Sequence, residues 1–188
     1  MDNIVAKATD FLITQNAIKR EDAAIYRYGM EMMLLSLAEV ASILLLAMVV
    51  GNFSATFLYF MAFMLLRLFA GGYHATTRLR CYLLSLGAYG AFSLCLLVAP
   101  ISFYGTLSLA MAVLSTVVVF AYAPIVHHNR KTNKATVHHC KNISRKIACT
   151  ELLLIILGCL FYPGVAIFAF TLGFFGVVCS MLVVKAKR

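Results

Sequence analysis

Three long stretches of this chain contain no Asp, Glu, Lys or Arg: Val40 to Leu66, Cys81 to Asn129, and Leu152 to Val184. A helix on the surface of a soluble domain shows one face to water, so charge returns within a turn or two. Uncharged runs of this length suit a bilayer instead. A crossing needs about 20 residues, so each stretch has room for about two if polar residues lie near the helix ends. Turn residues divide them at Gly51-Asn52, at Ala99-Pro100-Ile101-Ser102 and at Tyr162-Pro163-Gly164. The expected spans are Met32–Val50, Phe53–Phe69, Tyr82–Val98, Leu107–Ile125, Ile147–Tyr162 and Val165–Val184. Composition agrees, with 63% hydrophobic and 12% charged residues, the latter about half the usual globular share. A soluble domain, a disordered segment and a disulfide scaffold are excluded. The expected fold class is all-α: a polytopic integral membrane protein of about six transmembrane helices. Spans two and five are short enough to be shortened or re-entrant.

The basic residues test that division. They fall in the N-terminal segment (Lys7, Lys19, Arg20, Arg27) and between spans two and three (Arg67, Arg78, Arg80). The others lie between spans four and five (Arg130, Lys131, Lys134, Lys141, Arg145, Lys146) and at the C-terminus (Lys185, Lys187, Arg188). These are alternate loops, so all 16 Lys and Arg lie on one side, the cytoplasm by the positive-inside rule. Both termini are then cytoplasmic. The net charge of +9 has that origin, and nucleic acid is not an expected partner. Residues 1–29 mix acidic with basic side chains and lack the continuous apolar core of a signal peptide. Ile4, Val5, Ala8, Phe11, Leu12 and Ile18 recur at helical spacing, the pattern of an amphipathic helix on the inner leaflet. The chain is expected to form a single membrane domain over residues 1–188, with a loop of interest at 67–81 and a basic cytoplasmic loop at 126–146.

The loop between spans two and three holds Arg67, Gly71-Gly72, His74, Arg78, Arg80 and Cys81. One reading is plain: a Gly-Gly turn, a solvated histidine and a packing cysteine. A chemical reading also fits. Thr76 or Thr77 is a natural N-cap for span three, placing Cys81 in or just beyond the first helical turn, where the helix dipole and Arg78 favour a thiolate. His74 supplies an imidazole able to take the thiol proton. Seven residues along a continuous helix rise about 10.5 Å, so the helix must begin after His74 and the glycines must fold that residue back over Cys81. Gly71 and Gly72 shape this loop or offer N–H groups to an oxyanion. The other cysteines (Cys95, Cys140, Cys149, Cys159, Cys179) fall in spans or on the reducing cytoplasmic side, which argues against disulfides.

The pattern Arg67-x3-Gly71-Gly72-x-His74-Ala75, followed by Cys81 seven residues after the histidine, resembles the accessory gene regulator B (AgrB) family of membrane peptidases. Tyr28-Gly29-Met30-Glu31 before span one and Tyr122-Ala123-Pro124 at the end of span four also resemble it, as do the length and the six hydrophobic segments. After Pro124 the next proline is Pro163, so no proline-dependent loop feature of the family is carried over. The resemblance implies a cysteine endopeptidase of the bacterial cytoplasmic membrane, with Cys81 as nucleophile and His74 as general base. Its implied substrate is a small AgrD-like propeptide, cut at its C-terminal tail and cyclised through an acyl-enzyme thioester to a thiolactone or lactone autoinducing peptide for quorum sensing. No cofactor or metal is expected. The expected partners are that propeptide and the lipid bilayer, with a homodimer left open.

The remaining polar residues divide between site and scaffold. Glu39, deep in span one, either supports the site or substrate, or pairs with Arg67. Glu31 and Glu151 are expected nearer the cytoplasmic ends, where a carboxylate costs less. Arg67 reads as a snorkelling anchor or a contact for a substrate carboxylate. His127, His128, His138, His139 and Cys140 lack metal-binding spacing and fit a basic loop facing anionic lipid. The alternative function is a small membrane transporter or channel for a peptide or ion. That reading favours internal repeats and midplane polar groups, and here Glu39 stands alone in depth.

Overall fold

A computed structural model describes residues 2–15, 17–51, 53–73, 77–125 and 134–186. Its α-helices are α1 (Asp2–Thr14), α2 (Ala23–Val50), α3 (Phe53–Ala70), α4 (Arg78–Val98), α5 (Tyr104–Tyr122), α6 (Lys134–Phe161) and α7 (Val165–Ala186). Short 3-10 turns precede α2 (Arg20–Asp22) and α5 (Ile101–Phe103). The breaks follow the expected turn residues. Gly51 ends α2 with φ of 75°, in the left-handed region that glycine enters without a Cβ clash. Pro100 starts the turn before α5, and Pro163-Gly164 separates α6 from α7.

The chain divides into two compact units, Met1–Leu46 and Ala47–Arg188. In the first, α1 buries Val5 and Thr9, four residues apart, while Phe11, expected on the apolar face with Val5, is exposed. Thr9 Oγ1 donates to the Val5 carbonyl at 2.8 Å. Helix α2 begins at Ala23 and carries an Arg27–Glu31 pair (Nε–Oε1, 3.5 Å). Glu39 is half-buried further along it.

In the second unit α7 is the central helix, packed most extensively on α3 and then on α5, while α6 lies against α5 and α3. Lipid tails are as apolar as the side chains, so burial alone does not drive such helices together; close packing does, and small residues permit it. Gly173 of α7 lies directly against the Tyr59 carbonyl and the Ala62 methyl of α3. The shared core is Leu66, Ala112, Val119, Ala148, Ile155, Phe174 and their neighbours. Helix α4 joins through aromatic contacts, Tyr59 on Phe92 at 4.4 Å, and through Thr56 Oγ1 and Tyr89 Oη at 3.3 Å. Outside the core the helices expose large apolar side chains such as Val49, Leu97 and Phe161, as a lipid-facing surface requires.

Among the described residues, five helices are long and apolar enough to cross a membrane: Arg20–Val49, Phe53–Ala70, Leu79–Val98, Ile101–Tyr122 and Val165–Ala186. They coincide with expected spans one to four and six. The expected fifth, Ile147–Tyr162, is the apolar half of α6, a continuous 28-residue helix that starts among the basic residues of the preceding loop. Span two is likewise one continuous helix, α3. Glu151 keeps its expected place near the start of span five but lacks the solvation that would make a carboxylate cheap there. Its side chain is 2% exposed, on the same face as Ala148 and Ile155, because α6 seats on α5 and α3.

Candidate active site

The reactive loop leaves the C-terminus of α3. Gly71 and Gly72 have φ of 73° and 146°, which side chains rarely tolerate. Space imposes a second demand. A Cβ on Gly71 would lie 2.7 Å from the Ile125 carbonyl oxygen, and one on Gly72 would overlap the Arg67 guanidinium and crowd Ser180 Oγ at 2.5 Å. The two glycines therefore turn the chain and leave room for an arginine beneath it.

Arg67 is the centre of this arrangement. Nη1 donates to the Gly71 carbonyl at 3.0 Å and to Ser180 Oγ of α7 at 2.9 Å, and Nη2 donates to the Tyr73 carbonyl. Its half-buried head group thus closes the end of α3, holds both ends of the Gly-Gly turn and ties the turn to α7. Ser180 Oγ in turn donates to the Val177 carbonyl at 2.7 Å. All these partners of Arg67 are uncharged, carbonyls and a hydroxyl.

From the other side the exit of α5 supports the turn. Ile125 N donates to the Ala70 carbonyl at 2.8 Å, Ala123 is buried, and the Ala123–Pro124 peptide is cis. Ile125, just after the Tyr122-Ala123-Pro124 stretch and distant in sequence, thus braces the loop.

Thr77 is the N-cap of α4, with extended φ and ψ of −124° and 149°. Its Oγ1 accepts from Arg80 N at 3.4 Å, and its carbonyl accepts from Cys81 N at 3.1 Å. Cys81 therefore lies at the end of the first turn of α4, half-buried as a free thiol. A shallow depression of about 280 Å3 lined by Tyr73, Arg80, Leu83 and Leu84 opens beside it. His74 falls outside the described residues, as do Thr76, His127 and His128. Among the described residues, no three His, Cys, Asp or Glu side chains gather to hold a metal ion. Sequence reasoning named Arg67, Gly71, Gly72, Thr77 and Cys81 but missed Ser180 and Ile125. Nothing in the local pattern of α7 or of the α5 exit announces a contact with residues so far away.

A family model described as accessory gene regulator B matches residues 5–184, nearly the whole chain. The chain belongs to the AgrB family. Membership gives it a role in the accessory gene regulator system, in processing an autoinducing peptide. No curated protein and no solved structure matches it. Within the AgrB match lie the Arg67–Cys81 loop, the α5 exit and Ser180, so the family region includes every element that holds the turn.

Proposed function

We propose that this chain is a membrane cysteine endopeptidase that cuts an AgrD-like propeptide and supports its cyclisation. The observation that carries the reading is the placement of Cys81: a free, half-buried thiol at the end of the first turn of α4, following a Gly-Gly turn held by the hydrogen bonds of Arg67.

His74 accepts the Cys81 proton and the sulfur attacks the scissile carbonyl. The C–N bond breaks, the imidazolium protonates the departing amine of the C-terminal tail, and an acyl-enzyme thioester remains. A thiol or hydroxyl within the bound peptide then attacks that thioester and gives its proton to His74. Collapse returns the Cys81 thiol and closes a thiolactone or lactone. Exchange of one thioester for another is nearly balanced while hydrolysis is downhill, so water must be kept out during ring closure. A loop at the membrane boundary, walled by apolar helices, suits that need. The neighbouring depression, with Arg80 beside two exposed leucines, is placed to receive propeptide residues next to the cut. Gly71 and Gly72 shape the loop, Arg67 positions it, and Arg78 adds positive potential at the start of α4. The protein acts in a bacterial cytoplasmic membrane with both termini and the loop inside.

Co-expression with an AgrD-like propeptide tests this. Cys81→Ala, Cys81→Ser and His74→Ala should each abolish cleavage while leaving membrane insertion intact, and Ala at Cys95, Cys149 or Cys179 should leave cleavage in place. Cleavage by Cys81→Ala refutes the mechanism.

A further inference from the structure

Glu151 is the most deeply buried charged residue described, 2% exposed with both carboxyl oxygens lacking a hydrogen-bond partner. Ser115 of α5 is fully buried, and its Oγ has no partner either. Most helical hydroxyls in an apolar setting donate to a carbonyl one turn back, and Thr116, Ser144 and Thr171 do so here at 2.7–2.9 Å. Ser115 makes no such bond.

The two orphans lie at the same level. Antiparallel α5 and α6 are registered by Arg145 Nη2 on the Phe120 carbonyl at 2.9 Å and by Cys159 Sγ on the Gly105 carbonyl at 3.7 Å. Six residues along α6 from Arg145 is position 151, and six residues back from Phe120 is Leu114, next to Ser115. Both orphans occupy the buried faces, Ala112-Ser115-Val119 on α5 and Ala148-Glu151-Ile155 on α6. Ser108, also buried without a partner, is two turns away, about 10.5 Å along the helix, and belongs to a different level.

Among the described residues, no cation answers Glu151. Helix α5 carries no charged residue; its titratable side chains are Tyr104 and Tyr122, at its two ends. On α3 the charged group is Arg67, committed to Gly71, Tyr73 and Ser180; Tyr59 there packs on Phe92. On α7 Lys185 lies over the Tyr122 ring, and Cys179 is exposed. On α6 itself Arg145 lies over the Phe120 ring, about 9 Å along the axis from Glu151, while Cys149 is exposed. An ionised, unpartnered carboxylate in such surroundings is expensive. A single positive charge delivered to it restores neutrality, whereas a divalent ion would leave a surplus.

We propose that Glu151 and Ser115 form a monovalent-cation site inside the α3–α5–α6 bundle, filled by a proton on the carboxyl or by Na+ held by carboxylate and hydroxyl oxygens. Hard oxygen donors suit both. The site is independent of the peptidase reading. Its occupancy sets how firmly α6 seats on α3, the helix that bears Arg67.

The test is the melting temperature of the detergent-solubilised full chain from mildly acidic to mildly alkaline pH, in choline chloride and in NaCl at equal ionic strength. Raising the pH favours ionisation of a carboxyl that the native packing leaves without a partner, so stability falls as pH rises where no cation fills the site. In choline the native protein should therefore lose on the order of 4 °C more than Glu151→Gln across the range. Recovery of that loss by Na+ in the native protein, weakened in Ser115→Ala, identifies Na+ as an occupant. Recovery absent identifies the proton alone. Parallel pH profiles for the native protein and Glu151→Gln, with no Na+ effect, overturn the proposal. So does a Glu151→Gln chain that fails to assemble, since a neutral isostere of the filled site must be accepted.

Discussion

Arg67 shows how one side chain can serve a loop rather than a ligand. An arginine near a membrane boundary usually extends its head group to water; this one turns inward because three acceptors, on the Gly-Gly turn and on α7, match its planar fork. Lysine has three donors on a single nitrogen and cannot span them. Arg67→Lys should therefore lower propeptide processing at least roughly tenfold, the equivalent of about 1.4 kcal/mol, with insertion unchanged; processing at the native rate would show that charge alone suffices. Gly72 is the counterpart. Because a methyl group there would occupy the place of the guanidinium, Gly72→Ala should match the Arg67→Lys defect. Adding Arg67→Lys to Gly72→Ala should cost less than the sum of the two, since both changes damage one contact. Additive losses, measured as processing rates, would separate the residues.

Among the elements, the start of α4 and the α3–α7 contact carry the geometry of the site. Thr77 caps α4 and so determines where the helix begins relative to Cys81. Thr77→Ala should cost about 1 kcal/mol and Thr77→Asp should retain the cap, a difference readable in melting temperature and in hydrogen exchange at the Arg80 amide. The α3–α7 contact is less forgiving. Gly173 meets backbone on α3, which cannot move aside as the end of a flexible side chain can. Gly173→Val should separate the helices at a cost of roughly 3 kcal/mol, and because Ser180 of α7 holds Arg67, processing should fail with it. A variant that melts as the native protein does would place the two helices further apart than the close approach at Tyr59.

At the scale of the whole molecule, the proposed orientation follows from every Lys and Arg falling on alternate loops. Cysteine labelling from either side of the membrane should find position 102, in the turn before α5, accessible from outside, and position 131, in the basic loop, accessible only from inside. The reverse at either position would invert the topology and put the loop of Cys81 outside, where no cytoplasmic propeptide could reach it.

What could be read from the chain by itself was whatever depends on local composition and spacing. Uncharged length marks the crossings, since a bilayer penalises a charge within a span, most of all at its centre. Gly51, Pro100 and Pro163 mark the breaks because their backbone preferences act without neighbours. Thr77 and Cys81 could be placed for the same reason: a cap and a first turn are defined within five residues. The Gly71-Gly72 pair announced a special turn without revealing why both glycines were needed. That reason is tertiary. The pair makes room for Arg67, which Ser180 holds from α7, and it rests against Ile125 at the exit of α5. The burial of Glu151 has the same origin: it follows from how α6 seats on α5 and α3, and no residue near position 151 records that. Hydrogen bonds and close contacts join residues by distance in space, and only the packing of α3, α5, α6 and α7 sets those distances.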